Sequence, residues 1–164
     1  MNTYVSKLAT NAGYCNDRRV ITLDGGIGNT ITTYTSRDRL NTRTPSYKCS
    51  HESNDLFTTA SAMYGNKKLT NPVALITADE LAYAGSLYGN TNYQMYAHNG
   101  YHYWTLSPSI FSSGVAGSGF LNGGSIFGYY YVFISIGARP LVSLNSTALV
   151  TSGDGSMTSP YIVE

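Results

Sequence analysis

The stretch Tyr101-His102-Tyr103-Trp104-Thr105-Leu106 alternates with the two-residue period of a β-strand, so that His102, Trp104 and Leu106 share one face while Tyr101 and Tyr103 share the other. Residues 129–136 (YYYVFISI) repeat the pattern, with Tyr130, Val132, Ile134 and Ile136 opposite Tyr129, Tyr131, Phe133 and Ser135. Two aliphatic-plus-tryptophan faces predict a shared core, with Trp104 as a structural residue inside it. Two tyrosine faces predict a shared outer surface made by Tyr101, Tyr103, Tyr129 and Tyr131, with residues 107–128 read as a loop between the strands.

Outward from these strands the chain alternates short elements with turn signals. Residues 73–76 (VALI) read as a short apolar strand leading into Thr77-Ala78-Asp79-Glu80, a capping box in which Thr77 and Glu80 satisfy the first helical N–H groups. Ile76 and Leu81 supply the hydrophobic staple, and Gly89 is the expected stop. Asp79 and Glu80 sit where the helix dipole favours anions, which assigns them to the cap rather than to a catalytic carboxylate pair. Residues 20–23 and 30–35 flank Asp24-Gly25-Gly26 as a hairpin. The Gly25-Gly26-Ile27-Gly28 run is no phosphate loop, because no Lys-Ser/Thr follows and the next segment is β-branched strand. Residues 139–144 form another strand, and residues 148–151 with 161–163 a terminal hairpin. These elements predict one α+β domain over residues 1–164, with short antiparallel strands and one or two helices.

Composition narrows the partners. Only 12% of residues are charged, about half the usual share, while 13% are aromatic, through 15 tyrosines, 5 phenylalanines and one tryptophan. Disordered chains show the opposite balance. A net charge of +1 supplies no field to hold nucleic acid or an anionic membrane. No run of 18 apolar residues predicts membrane insertion, and residues 1–10 contain no apolar signal core. The chain is either intracellular or an exported module; a Tyr/Asn/Ser/Thr/Gly-rich, lysine-poor composition is typical of the second, so the expected setting is extracellular, on a cell surface or virion, as part of a longer parent. Charge is also uneven. Residues 1–68 hold nine of the ten bases, whereas between Glu80 and Asp154 the only Lys, Arg, Asp or Glu is Arg139. That stretch solvates itself through Asn, Ser, Tyr hydroxyls and backbone, as antibody-like surfaces do.

Arg139, followed by Pro140, is expected to be structural: largely buried, its guanidinium satisfied by backbone carbonyls or by an acid such as Asp17, Asp38 or Asp55. The alternative is an anion-binding arginine in an open groove. Cys15 and Cys49 fit neither a zinc pattern nor a CxxC pair; in an exported domain they form a structural disulfide, and otherwise they are two buried thiols. No catalytic residue, metal or cofactor is assigned. Acid–base chemistry needs two titratable groups in one cleft, and the aromatic half offers only His98, His102 and Arg139. A loop and a strand would make the two histidines diverge. A glycosidase would need Asp79 or Asp154 paired with another acid about 5–9 Å away.

The series Arg37-x-Arg39-Leu40, Cys49, Thr77-Ala78-Asp79-Glu80, Tyr103-Trp104-Thr105-Leu106-Ser107-Pro108, Gly137-Ala138-Arg139-Pro140 and Gly153-Asp154-Gly155 before Pro160-Tyr161-Ile162-Val163 resembles surface-protein modules of Gram-positive gut bacteria. Those modules often end pilin-like or repeat-bearing chains, which implies a parent stalk or pilus. The resemblance covers about residues 14–164. More distantly, Trp-x-x-Ser with Gly-x-Arg-Pro is similar to the C-type lectin-like fold of formylglycine-generating enzymes and of the variable proteins of diversity-generating retroelements. The late cysteines of the former are missing, as are the Glu-Pro-Asn, Gln-Pro-Asp and Trp-Asn-Asp triplets of calcium-dependent lectins, so neither activity is implied.

The expected function is a non-catalytic, adhesin-like head that binds a host or cell-surface protein or glycan through Tyr101, Tyr103, Tyr129 and Tyr131, without cofactor or nucleic acid. The rival is a structural pilin-like or stalk subunit whose aromatic face packs on a neighbour.

Overall fold

In the computed structural model, which describes residues 5–22, 31–156 and 158–164, strand makes up 35% and helix 14%. After a single 3-10 turn at Val5–Lys7 the elements are β1 (Tyr14–Cys15), β2 (Val20–Thr22), β3 (Thr32–Tyr34), α1 (Thr35–Thr42), α2 (Glu52–Asp55), β4 (Leu56–Phe57), β5 (Val73–Leu75) and α3 (Ala78–Tyr83). They continue with β6 (Tyr103–Ser112), β7 (Val115–Asn122), β8 (Ser125–Tyr131), β9 (Pro140–Val142), β10 (Val150–Ser152) and β11 (Ile162–Val163). Five strands make one antiparallel sheet in the order β2-β3-β6-β7-β8, and β1–β4, β5–β9 and β10–β11 are two-stranded ribbons. The architecture is mostly β, with curled antiparallel sheets, which corrects the α+β, C-type lectin-like expectation. The three α-helices of the described residues have only eight, four and six residues, and much that reads as loop is strand.

The largest such segment is 107–128. Its Ser/Gly-rich sequence is poor in β-formers and lacks apolar alternation, yet it supplies most of the β6–β7–β8 meander. Two tight turns make it so. Ser113-Gly114 and Gly123-Gly124 have φ of 51° and 79°, and of 52° and 92°, the double positive φ of the hairpin turns whose twist suits paired strands. Small residues in β7 then leave room for the side chains of β6 beneath the helix. A Cβ on Gly119 would sit 3.0 Å from Thr105 Oγ1 and 3.9 Å from the Ala78 Cβ of α3.

The first turn of β6 alternates as read, but the opposite face is the covered one. Tyr103 is 2% exposed and Thr105, Ser107 and Ser109 are buried, while Trp104 is half-buried and His102 exposed. Tyr103 joins Leu40, Ala78, Leu81, Met95, Leu121 and Ile126 in the core. Trp104 stands on the other face, its ring 6.5 Å from that of Phe120, which Tyr130 covers at 4.9 Å. Alternation fixes which residues share a face and leaves open which face a helix will cover. Here Ser107 Oγ accepts the Ala78 N–H, the first amide of α3, at 2.9 Å, which seats the helix on the hydroxyl-bearing side. The reading of residues 129–136 fails for a simpler reason: the strand ends at Tyr131, leaving Val132 55% and Phe133 67% exposed.

Local signals fare better. Thr77 Oγ1 accepts the Glu80 N–H at 3.1 Å and Glu80 Oε2 accepts the Thr77 N–H at 2.7 Å, so the capping box forms. Ile76 packs on the cluster that contains Leu81. The helix stops before Gly89, however: Ser86 N–H reaches Leu81 O at 2.9 Å and Gly85 N–H reaches Ala82 O at 3.1 Å, a closure that Gly85 permits at φ 98°. β2 and β3 pair as the expected hairpin, and β10 and β11 as the terminal one. The Asp24–Gly28 turn lies outside the described residues. Of residues 139–144 only β9 is strand, paired with β5.

Arg39 on α1 takes Asp17, one of the acidic partners expected for Arg139, together with Asp79. Its Nε and Nη2 donate to the two Asp79 oxygens at 2.7 and 2.8 Å, and its Nη1 to Asp17 Oδ2 at 2.7 Å. The three side chains are only 12%, 6% and 5% exposed. Asp17 also accepts from Arg19 and Thr35, and Asp79 from the Ser46 amide. Asp79 is therefore the partner of a guanidinium rather than part of the cap. Burial alone would raise the Asp17 carboxyl, but the hydrogen bonds from Arg19 and Arg39 and the Arg39 charge outweigh it and hold the group far below the usual carboxylate range. The Cys15–Cys49 disulfide, with Cα atoms 5.7 Å apart, ties β1 to the segment after α1. Closing a loop across 34 residues contributes roughly 3–4 kcal/mol by chain entropy. The disulfide is compatible with an extracellular or secreted protein, and among the described residues no helix is long and apolar enough to cross a membrane.

Arg39→Ala leaves two buried carboxylates without their shared cation and is expected to cost about 3–5 kcal/mol in urea unfolding. The depressed Asp17 carboxyl contributes stability that is fully present above the ordinary carboxylate range and fades as pH falls below about 4 toward the folded-state value. Asp17→Asn is accordingly expected to lower stability at pH 7 and to flatten the acid limb of a stability–pH curve.

Candidate functional site

The four tyrosines expected to share a surface do not converge. Tyr101 is 75% exposed, whereas Tyr103, two residues on, is fully buried. Tyr103 pairs with Leu121, which faces Ile126, while Tyr131 pairs with Gly117 farther along the sheet. Five residues of β8 therefore separate the two ends, roughly 16 Å of strand. Tyr129 is half-buried, with the Arg37 guanidinium 5.1 Å from its ring centroid. Tyr131 meets Tyr129 edge-on at 5.6 Å and stacks on Phe133 at 5.6 Å.

A different tyrosine set is displayed. The segment 84–102, between α3 and β6, exposes Tyr93 and Tyr96, at 69% each, together with Tyr101. Its backbone is pinned on both sides. Met95 is buried in the core, Asn92 N–H donates to Gly124 O at 3.1 Å, and Asn92 Nδ2 donates to Gly85 O at 2.9 Å. Asn92 Oδ1 and Asn99 Oδ1 accept the amides two residues on, Gln94 at 3.0 Å and Tyr101 at 3.1 Å, the local turn that asparagine favours. Ala97 O accepts both the Tyr103 hydroxyl at 2.8 Å and Arg139 Nη1 at 2.5 Å. Read as sequence, residues 90–100 are merely polar and glycine-bounded. The usable signal was one apolar anchor, Met95, flanked by outward tyrosines and by asparagines placed to turn the chain. His98 lies edge-on to Tyr93 at 5.2 Å and His102 edge-on to Phe120 at 6.1 Å, and among the described residues no group of three His, Cys, Asp or Glu is placed to hold a metal ion.

Behind Tyr96 lies a pocket of about 330 Å³ lined by Arg139 and by Tyr103, Ile76, Leu141 and Val142. Arg139 is half-buried, 5.6 Å from the Tyr103 ring centroid. Burial raises the Tyr103 phenol, and the lowering influence of Arg139 does not cancel it. Two of the acids expected beside Arg139 are held elsewhere, Asp17 by Arg19 and Arg39 and Asp55 by Arg18. Pro140 separates this pocket from an apolar trough of about 430 Å³, walled by Phe57, Leu69, Val73, Leu75 and Leu106.

Asp79 does meet a second acid, Asp17, through Arg39. The adjoining cavity is only about 90 Å³, well below the roughly 300 Å³ at which ligand sites begin. A guanidinium joins the two carboxylates, so the cluster fastens helices together and presents no acid–base pair to a substrate.

Tyr103→Phe removes one of the two donors on Ala97 O and is expected to cost about 1 kcal/mol. Amide hydrogen exchange should quicken at residues 95–100 and stay unchanged in β7 and β8.

No protein-family model, no curated protein and no solved structure matches this chain.

Proposed function

We propose that the chain is the binding head of a longer surface-displayed or virion protein, and that it engages a cell-surface protein or glycan non-covalently through the tyrosines of the 84–102 segment. The observation that carries this reading is the display of Tyr93, Tyr96 and Tyr101 on a backbone fixed by Met95, Asn92 and Asn99. Tyrosine offers a large amphipathic surface with only two χ angles to freeze, and a loop already held in place has little further ordering to lose on binding. The absence of Lys, Arg, Asp and Glu from residues 81–138 means that a partner can cover this surface without stripping water from a charge. Export is supported by the disulfide, by the composition and by the resemblance to Gram-positive surface modules.

The apolar trough beside Pro140, with Val73 and Val142 exposed near it, favours a second reading, a structural subunit that packs on a neighbour in a stalk. A glycan array, a cell-surface protein display and sedimentation velocity together separate the two. Array or display hits by a monomer support the head; concentration-dependent assembly without hits supports the stalk. Tyr93→Ala and Tyr101→Ala are expected to change folding stability by no more than about 0.5 kcal/mol. Each should weaken binding to a ligand found in this way by about 1–2 kcal/mol, roughly five- to thirty-fold.

A further inference from the structure

Arg139 is the one Lys, Arg, Asp or Glu between Glu80 and Asp154, and among the described residues no carboxylate pairs with it, whereas Arg18, Arg19 and Arg39 each hold an aspartate. A guanidinium carries five N–H donors in a planar fork. Here Nη1 is used on Ala97 O and the Tyr103 ring flanks the group, which fixes its orientation without supplying a counter-charge. The rest of the lining is apolar or aromatic: Ile76, Pro140, Leu141 and Val142 with Ala97, Tyr96 and Tyr103. A half-desolvated cation with no anion is an incomplete arrangement, and an entering carboxylate completes it with two parallel charge-assisted hydrogen bonds. The volume of about 330 Å³ falls within the range of small-molecule sites.

We infer that this pocket binds a small organic monocarboxylate with an apolar body, the carboxylate on Arg139 and the body against Ile76, Leu141, Val142 and Tyr96. Three features select that class. A phosphate dianion would meet one cation only, since no second Lys or Arg lines the pocket. A sugar acid would need acceptors and donors for its hydroxyls, and the Ala97 carbonyl already accepts twice. The aliphatic walls reward a chain or ring of carbon. The site shares Tyr96 with the displayed tyrosine set but does not depend on that set being a binding surface.

The test is a titration of the whole chain followed by ¹H–¹⁵N spectra, with hexanoate and 4-phenylbutyrate as probes. 4-Phenylbutyramide serves as the uncharged isostere, and N-acetylneuraminate and inorganic phosphate as rival anions. Saturable shifts are expected at Arg139 Nε–H and at the amides of residues 96, 97, 141 and 142, with the amide isostere at least tenfold weaker. Arg139→Gln should weaken acid binding tenfold or more. Val142→Asp, at a position already 41% exposed, places a repelling carboxylate at the mouth while leaving Arg139 intact, and is expected to weaken binding similarly. Tyr93→Ala should leave acid binding unchanged, so that failure of the displayed-tyrosine reading and failure of this site are told apart. Equal binding of acid and amide, tighter binding of neuraminate or phosphate, wild-type affinity in Val142→Asp, or no saturable shift with either acid would each overturn the assignment.

Discussion

Arg39 reaches across forty positions of sequence to Asp79 and across twenty-two to Asp17, and the placement of α1, α3 and the β1–β2 connection on the sheet follows from that grip. Helices as short as α1 and α3 do not persist by themselves, because nucleation consumes most of what a few hydrogen bonds return. They survive by lying on β6 and on each other. The guanidinium sets their mutual position, and Asp17 draws the β1–β2 connection onto the same point. Desolvating three charges is costly, and the cost is offset only because Asp17 and Asp79 are also met by Arg19, Thr35 and the Ser46 amide. Once α3 is held, its first amide finds Ser107, its last turn closes at Gly85, and the segment that presents the tyrosines starts from a fixed point.

The parts of this fold legible in the sequence are those determined within a few residues. Thr77 and Glu80 specify their cap by spacing alone, the β2–β3 and β10–β11 pairs are announced by their flanking turns, and Cys15 and Cys49 had no other partner. What could not be read depended on distant neighbours. Tyr103 and Trp104 do alternate, but nothing near them in sequence says which will face a helix whose seat is a serine hydroxyl. Residues 107–128 hide their strands because Gly119 leaves room for the Thr105 hydroxyl of the neighbouring strand rather than favouring strand by propensity. The isolated charge of Arg139 was conspicuous, and it meets a backbone carbonyl, Ala97 O, one of the two kinds of partner expected for it. That Asp17 and Asp55 are held by Arg18, Arg19 and Arg39 instead was not legible, because no local pattern distinguishes these arginines.

The candidate surface follows the same division. A charge-free, tyrosine-rich stretch was plain from composition, but its location was not. Strand tyrosines looked available because alternation gave them a common face. Tyr103 instead fills the centre of the core, and Tyr129 is half-covered by Arg37. The exposed set belongs to a segment with no periodicity at all, where Met95 points inward and asparagine side chains replace a backbone ladder. Irregular segments of this kind are stabilised by individual contacts, and those become visible only when the coordinates bring Gly85, Gly124 and Ala97 to the loop.

The meander has a consequence for the order in which the chain assembles. β6, β7 and β8 are joined by two-residue turns, so their pairing is local and can proceed on the microsecond scale of hairpins. Apart from the β2–β3 and β10–β11 hairpins, the other pairings are distant: Thr32 must find Phe111 and Val73 must find Val142, and closing loops of that length is slow. During synthesis the first hundred residues therefore emerge with only the β2–β3 hairpin and the β1–β4 ribbon, of the described sheets, to form among themselves, since β3, α1 and α3 all pack on β6. The amino-terminal half reaches its final place only after the carboxyl-terminal half has built the template, so the hairpins of the meander act as the surface on which the earlier-made elements dock.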